Sequence, residues 1–336
     1  MKQANIAING FGRIGRATLK IIKQEFPSLK VVAINDLTDP KTLAHLYKHD
    51  SCYGVLNDKV KAGDNFISIN ADKIPVFAIK DPNELPWKKL KVDIVLECTG
   101  RFTNKEGLGL HLLAGAKKVV LSAPAKGGGV KTVVPGVNLE KVKKSDNLLS
   151  CASCTTNCLA PTTKVIKDNF GIKKALMTTI HAYTADQNLI DGPHRDLRRA
   201  RGAAINMVPT TTGAAISTTE TFPSLKGSFD GLAVRVPVPV GSLCDTVYLL
   251  NKKTTIEAVK EAFKKAAKKE LKGIVEASEE ALVSSDIVAN PHSAIVDLEM
   301  TKLVGGDLLK IIAWYDNEWA YSKRLVELSD YLRKIN

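Results

Sequence analysis

The sequence predicts an α/β chain in two parts: a doubly wound parallel sheet, followed by an α+β part with a large, mainly antiparallel sheet. Two domains are expected because 336 residues exceed one average domain, and each half is long enough to bury a core. The first 150 residues alternate short β-branched runs with helical patterns, the grammar of a parallel sheet wrapped by helices. From about residue 172 the apolar runs lengthen and loops replace most of the helices between them.

Taken in order, "NIAING" reads as a buried strand and "RATLKIIKQEF" as the helix after it. "VVAIND", "VDIVLECTG", "KVVLSAP" and "NLLSCAS" read as further strands, mostly ending at turn residues, and "PAKGGG" (124–129) as the most mobile stretch. A helix is expected over 154–170, capped by Ser153, kinked near Pro161 and stopped by Gly171. Beyond it, "KKALMTTIHAYT", "GLAVRVPVPVG", "DTVYLL", "SAIVDLEM" and "DLLKIIAWYD" read as long strands. "TIEAVKEAFKKAAKKEL" reads as an amphipathic helix. A last helix, "NEWAYSKRLVELSDYLRKI", offers Trp319, Leu325, Val326 and Leu332 to the core. The division expected is 1–153 with 317–336, and 154–316.

Composition narrows the function. No apolar run approaches 18 residues and the first residues carry no signal-peptide pattern, so a cytoplasmic protein without a membrane span is expected. Six cysteines are sparse and form no disulfide framework. The net charge of +13 comes from scattered short pairs such as Lys117, Lys118, Lys143 and Lys144, without interleaved aromatics. That favours a surface that attracts small anions over a dedicated nucleic-acid module.

"NGFGRIGRA" places Gly10, Gly12 and Gly15 as G-x-G-x-x-G between a strand and a helix, the Rossmann-type pattern for a dinucleotide pyrophosphate. Asp36 ends the second strand 21 residues after Gly15, where a carboxylate accepts from the ribose hydroxyls and repels a 2′-phosphate. NAD is therefore expected over NADP. Phe11, Arg13 and Ile14 join the candidate cofactor set from the same loop, with Lys80. Thr99, Gly100 and Ser122 join it from later strand ends, where ligands of open sheets bind.

"CASCTTNCLAP" (151–161) raises three readings. A zinc or iron–sulfur site lacks its fourth ligand, so no metal is expected. A redox pair Cys151/Cys154 stays open. The third reading makes Cys154 a nucleophile in the first turn of a helix, where free amides and the dipole favour a thiolate. A thiol with a pKa near 8.5 is only about 3% ionised at pH 7, so a drop of about two units changes the nucleophile population more than tenfold. Cys158 reads as a packed residue.

Together "SCTTNCLAP", "NGFGRIGR", "SAPAK", "ARGAAINMVPTTTGAA" and "WYDNEWAYS" resemble, in order and over essentially the whole chain, the phosphorylating glyceraldehyde-3-phosphate dehydrogenase family. The resemblance makes the second domain catalytic. It implies that Cys154, activated by His181, adds to the aldehyde, that the adduct gives hydride to NAD, and that inorganic phosphate cleaves the resulting thioester to 1,3-bisphosphoglycerate. It implies a substrate-phosphate site from Arg235, Thr184 and Asp186, and an attacking-phosphate site from Ser153, Thr155, Thr212, Gly213 and Arg199. Asn317 would hold the nicotinamide carboxamide. A cytoplasmic homotetramer follows by resemblance, with the loop 182–205 reaching a neighbouring cofactor site; nucleic acid is not required.

The chain departs from the family pattern in places. Cys151 replaces an asparagine, Ala320 a glycine, and "PVPVGSL" an ordinary continuation. Gly192 replaces a leucine that helps exclude the 2′-phosphate, which keeps some NADP use open. Two rival readings stand beside the dehydrogenase: a sister enzyme acting on erythrose 4-phosphate with water as acyl acceptor, and a nucleic-acid-binding or redox-sensing protein on the same fold.

Overall fold

The computed structural model describes residues 3–335, and the chain divides into two compact units. The first runs to Val133, resumes over Leu139–Ala152 and takes the chain again from Ser322; the second holds Val134–Asn138 and Ser153–Tyr321.

In the first unit a nine-stranded sheet runs in the order Lys131–Thr132, Leu148–Ser150, Lys118–Leu121, Ile94–Glu97, Ala4–Asn9, Leu29–Asn35, Asp72–Phe77, Phe66–Ile69, Val60–Ala62. Every pairing from Lys131–Thr132 to Asp72–Phe77 is parallel, and the last two are antiparallel. The parallel doubly wound expectation is borne out, and the five strands read from the sequence all lie in this sheet. The antiparallel extension escaped the reading because its strands are short and half-polar: only two of four residues in "FISI" are buried. The helices Arg13–Glu25 and Lys105–Leu113 follow strands, as crossovers require, and Ala7, Ala33, Trp87, Val95, Leu108 and Val119 pack in one of the apolar clusters.

The glycine loop shows why it needs glycine. Gly10 has φ +90°, and a Cβ there would lie 2.7 Å from the backbone of Cys98 and Thr99. A Cβ on Gly15 would lie 2.2 Å from the Gly10 carbonyl, so strand and helix could not approach as they do. At Gly12 a Cβ would meet nothing within 4 Å.

The second unit is built on a seven-stranded sheet in the order Val208–Thr211, Phe229–Val236, Ile172–Ala182, Ser242–Leu250, Leu308–Tyr315, Ala294–Val304, Val275–Ser278. Two pairings are parallel and four antiparallel, as the mainly antiparallel expectation requires. The helix Cys154–Phe170 is held at its start by Ser153, whose Oγ accepts from the Thr156 amide at 3.0 Å, and ends at Gly171 with φ +67°. It continues through Pro161, which lacks the amide for one backbone bond. Helix Ile256–Lys268 buries Val259, Phe263 and Ala266, spaced to lie along one face, with Thr255 as its cap.

These helices cover one face of the sheet, where Cys158, Leu159, Val165, Phe263, Tyr248 and Ile311 share a core. The last helix is Trp319–Ile335. Leu325, Val326 and Leu332 are fully buried; Trp319 is only half-buried, a correction to its place among the core candidates.

Candidate active site

Strand periodicity assembles the site of the second unit. Thr179 and His181 point to the covered face of strand Ile172–Ala182, and His181 lies directly opposite Arg235 in the parallel register. On the other side, Thr179 pairs with Cys244, Cys244 with Ala313, and Tyr315 lies two residues further along the same face. Cys154 opens the helix that covers this face, and its Sγ sits 3.5 Å from Nε2 of His181.

Of the three clustered cysteines, Cys151 and Cys158 are fully buried, and only Cys154 keeps exposed surface through which an electrophile could reach it. An electrophile from solvent therefore meets Cys154 rather than Cys151 or Cys158. Among the described residues no cluster of three or more His, Cys, Asp or Glu side chains could hold a metal.

The electrostatics correct one expectation. Burial pushes the Cys154 thiol up to about 11, over the downward pulls of the Arg235 guanidinium and of hydrogen bonds from Thr155. The helix-end seat is present, but desolvation outweighs it. Burial and Arg235 together push His181 down to about 3. Each group alone therefore rests neutral. A thiolate forms by proton transfer from Sγ to Nε2, which creates both charges together, each offsetting the other's lost hydration. At about 3.5 Å and an effective dielectric near 20 their attraction is roughly 5 kcal/mol.

Arg235 touches the pair directly: Nη1 lies 2.6 Å from His181 Nδ1 and donates to the Ala182 carbonyl at 3.1 Å. Burial lowers the pKa of this guanidinium, so an anion placed on it restores lost stabilisation.

Arg199 reaches Asp186 Oδ2 at 2.5 Å, Thr210 Oγ1 at 2.9 Å and the Thr211 carbonyl at 3.0 Å. The Thr184 amide donates to the Gln187 side-chain oxygen, and Thr212 Oγ1 accepts from the Ala214 amide at the start of helix Ala214–Thr221, with Gly213 as the residue before it. Arg199 acts on both His181 and Arg235 electrostatically, and Asp186 on Arg235. Ser153 spends its Oγ on the helix cap, and Thr155 Oγ1 lies 2.9 Å from Tyr315 Oη. Asn317 accepts on Oδ1 from the Gly241 amide at 3.2 Å and from Ser242 Oγ at 3.0 Å; an amide N–H only donates, so the orientation is fixed with Nδ2 pointing away from these two groups.

In the first unit a cavity of about 630 Å³ is lined by Gly10, Gly12, Asp36, Lys80 and Thr99 among others. Asp36 Oδ2 accepts from the Phe11 amide at 2.7 Å and Oδ1 from the Thr38 amide at 3.0 Å, which leaves each oxygen a lone pair for a hydroxyl. This cradle fits a dinucleotide: space at Gly12, backbone at Gly10, and oriented acceptors at Asp36. Phe11 contributes backbone only, since its ring is buried beside Tyr47. Arg13 is engaged by Asp50 at 2.9 Å, and Ile14, Gly100 and Ser122 do not line the cavity.

The sequence reading missed Glu97. Its carboxylate is wholly buried at the end of strand Ile94–Glu97 and accepts from Asn9 Nδ2 at 2.5 Å, the Thr99 amide at 2.8 Å and the Thr99 hydroxyl. Trp87 donates its indole N–H to His111 Nδ1 at 3.0 Å, so the ring proton of His111 sits on Nε2 and meets Glu97 Oε2 at 3.0 Å. An acid inside an otherwise apolar strand was the available signal.

Comparison with known proteins agrees with both units. Residues 4–105 match the NAD-binding domain of glyceraldehyde 3-phosphate dehydrogenase, and residues 153–317 match the C-terminal domain of that family. The chain is 50% identical over 335 residues to a glyceraldehyde-3-phosphate dehydrogenase of Clostridium pasteurianum, covering 98% of each. It is 52% identical over 329 residues to one of Mycobacterium avium, covering 96% of each. With the second such enzyme of Streptomyces avermitilis it shares 49% identity over 328 residues, 97% of this chain and 98% of the relative.

Proposed function

The chain belongs to the glyceraldehyde-3-phosphate dehydrogenase family, and from that premise we propose which of its residues carry out each step of the reaction. The protein is an NAD-dependent dehydrogenase that oxidises and phosphorylates glyceraldehyde 3-phosphate. The contact that supports the assignment is Cys154 Sγ to His181 Nε2.

His181 takes the thiol proton as Sγ adds to the aldehyde carbon, and Nε2–H then donates to the oxygen of the adduct. Bound NAD would supply the hydride acceptor, its ribose and pyrophosphate held by Asp36, the glycine loop and Lys80. The proton on the adduct oxygen returns to His181 as the carbonyl of the thioester forms. Arg235 and Thr184 bind the substrate phosphate, and Asp186, whose carboxylate holds Arg199, lines the same site. Arg199, Ser153, Thr155, Thr212 and Gly213 present inorganic phosphate to the thioester carbon, and Sγ leaves as thiolate or takes its proton back from His181.

Finer points belong to the same proposal. The enzyme works in the cytoplasm as a homotetramer: no described helix is long and apolar enough to cross a membrane, and Leu189, Ile190, Leu197, Ile205 and Met207 stand 75–82% exposed on one stretch of the second unit. Light scattering should report four times the chain mass. With Gly192 in place of a bulkier side chain, NADP is used weakly beside NAD.

The deciding experiment is reduction of NAD and of NADP with glyceraldehyde 3-phosphate, with and without phosphate. Turnover that requires phosphate or arsenate supports the proposal. A phosphate-independent rate, or a preference for erythrose 4-phosphate, overturns it.

A further inference from the structure

Arg199 is held by a group that no step above uses, the carboxylate of Asp196. It lies three residues earlier, on the turn that carries the arginine: Oδ1 accepts from the Arg198 amide at 2.9 Å, and the main-chain oxygen of Asp196 accepts from the Ala200 amide at 3.1 Å. Its Oδ2 accepts from the Thr210 hydroxyl at 2.5 Å, and Thr210 Oγ1 in turn accepts from Arg199 Nε at 2.9 Å. From Asp196 Oδ2 to Arg199 Nε the direct distance is 3.7 Å, too long for a hydrogen bond, so the hydroxyl stands between carboxylate and guanidinium as a spacer.

Chemistry assigns every proton in this chain. A guanidinium only donates. The Asp196 carboxylate only accepts, and hydrogen bonds from Thr210 and Arg198 hold it below the usual carboxylate value. Thr210 must then give its one proton to Asp196 and offer a lone pair to Arg199. Thr210 is itself fixed: it is 6% exposed on strand Val208–Thr211, opposite Ala233 and two residues from Val208, which lies opposite Arg235. Arg199 is thereby registered against the strand that carries Arg235. Of the five guanidinium N–H groups, Nε is engaged by Thr210, one on Nη1 by Asp186 and one on Nη2 by the Thr211 carbonyl. One N–H on each Nη is left open to an anion.

We propose that Asp196 is a positioning residue for the attacking phosphate: acting through the Thr210 hydroxyl, it sets the plane of the Arg199 guanidinium and aims the two open N–H groups. A planar fork recognises a phosphate by two parallel hydrogen bonds, so its tilt matters as much as its charge. Without the spacer, Nε and Asp196 Oδ2 close their gap and the fork turns toward the carboxylate. Binding of inorganic phosphate weakens, whereas aldehyde addition and hydride transfer come before it and proceed as in the parent. Variants at Asp196 and Thr210 leave the Arg199 charge in place.

The role assigned to Asp196 rests on Arg199 binding inorganic phosphate, as proposed above, and the experiment separates the two. Inorganic phosphate is titrated at saturating NAD and glyceraldehyde 3-phosphate, and the burst of reduced cofactor is followed in phosphate-free buffer. Thr210→Val keeps the volume and removes the hydroxyl. The KM for phosphate should rise about tenfold, the contribution of one hydrogen bond to a charged group, with the burst unchanged in rate and amplitude. Asp196→Asn gives Thr210 an uncharged partner and should raise the same KM about fivefold, the difference between a charged and a neutral hydrogen bond. Both act on one contact, so the double variant should go no higher than Thr210→Val alone. Thr210→Ser keeps the hydroxyl and should match the parent.

A burst slowed in step with the rise in KM would mean a merely structural role, and multiplied effects in the double variant would mean two separate ones. Either result overturns the proposal, as does an unchanged KM. If Thr210→Val fails to fold by circular dichroism, Thr210→Ala removes the same hydroxyl and carries the same expectation. Arg199→Gln tests the underlying reading: should it leave the KM for phosphate unchanged, Arg199 does not bind phosphate and the role of Asp196 falls with it. Should it raise that KM while Thr210→Val and Asp196→Asn do not, only the positioning role is lost.

Discussion

Nη1 of Arg235 lies 2.6 Å from Nδ1 of His181, and the Ala182 carbonyl oxygen lies 2.7 Å from the same nitrogen. The guanidinium can only donate and the carbonyl can only accept, so the two demand opposite states of Nδ1. With Arg235 bonded, Nδ1 accepts and the ring proton faces the sulfur; with Ala182 bonded, Nε2 is free to act as a base. Arg235 therefore bears on the proton of His181 as well as on a substrate anion. Arg235→Gln removes the cation that pushes His181 down and pulls Cys154 down. The acid limb of kcat/KM should move to higher pH, and kcat/KM should fall roughly 100-fold with the loss of a charged hydrogen bond to phosphate. An unmoved acid limb would show that the contact does not govern the imidazole.

His181→Asn keeps a polar side chain but no base at the position of Nε2. The adduct and the thioester then form without proton transfer through the ring, and kcat should drop by about 10²–10⁴. Cys154→Ser should abolish the burst of reduced cofactor in a stopped-flow trace, since a serine hydroxyl is a far weaker nucleophile at neutral pH. A burst of normal amplitude in the serine variant would place the covalent step elsewhere.

Much of this site was legible because its parts are local. Ser153, Cys154 and Gly171 announce one helix with its nucleophile in the first turn, and the glycine loop with Asp36 announces the dinucleotide cradle. What was not legible depends on depth and long-range register. The thiol was expected to be acidic from its helix-end seat, but burial is set by strands that enter the sequence 18 to 161 residues later, and it wins. Tyr315 sits inside a recognised motif, yet its meeting with Thr155 spans 160 residues and rests on the alignment of antiparallel strands. Glu97 bonds Asn9 across 88 residues and His111 across 14.

The buried imidazole also sets a pH dependence of stability. In the unfolded chain His181 takes a proton near pH 6.5, whereas in the folded protein it resists down to about 3. Between these values the unfolded state binds more protons, so stability falls as pH falls below about 6.5. At pH 5 the cost from this one group is about 2 kcal/mol. His181→Asn should therefore lose less stability than the parent between pH 7.5 and pH 5, read as the shift of the urea midpoint. Cys154 works at the other end: burial holds its proton on up to about 11 in the folded protein, well above an ordinary free thiol, so stability falls as pH rises above about 8.5. Equal acid sensitivity of parent and variant would mean that His181 is charged in the fold.

Asp36 tests the cofactor cradle. Asp36→Asn keeps the shape but removes the negative charge, so hydrogen bonds from the ribose hydroxyls weaken and the repulsion of a 2′-phosphate disappears. The KM for NAD should rise roughly 10-fold or more, and the ratio of kcat/KM for NADP to that for NAD should rise with it. The amides of Phe11 and Thr38 retain an acceptor only in part, because a side-chain amide presents one oxygen where the carboxylate presents two. A variant with unchanged cofactor preference would remove Asp36 from the ribose.

Glu97 gives the last prediction, from donors rather than charge. All four of its neighbours donate to it: Asn9 Nδ2, His111 Nε2, and the amide and hydroxyl of Thr99. Glu97→Gln replaces one acceptor oxygen by an NH2 group, so either the Asn9 and His111 side or the Thr99 side meets a donor with a donor. If the amide turns toward Thr99, the Thr99 loop at the cofactor cavity shifts and the KM for NAD rises. If it turns toward His111, that ring must move its proton to Nδ1, where the Trp87 indole N–H already points, and the indole loses its acceptor. Each route leaves a buried polar group unpaired at about 1–3 kcal/mol, so the variant should unfold several degrees lower. A blue-shifted or quenched Trp87 emission without a change in KM would assign the cost to the histidine side, and a raised KM with unchanged emission to the Thr99 side. A variant as stable as the parent, with KM unaltered, would show that these four bonds hold neither the Thr99 loop nor the His111 ring in place.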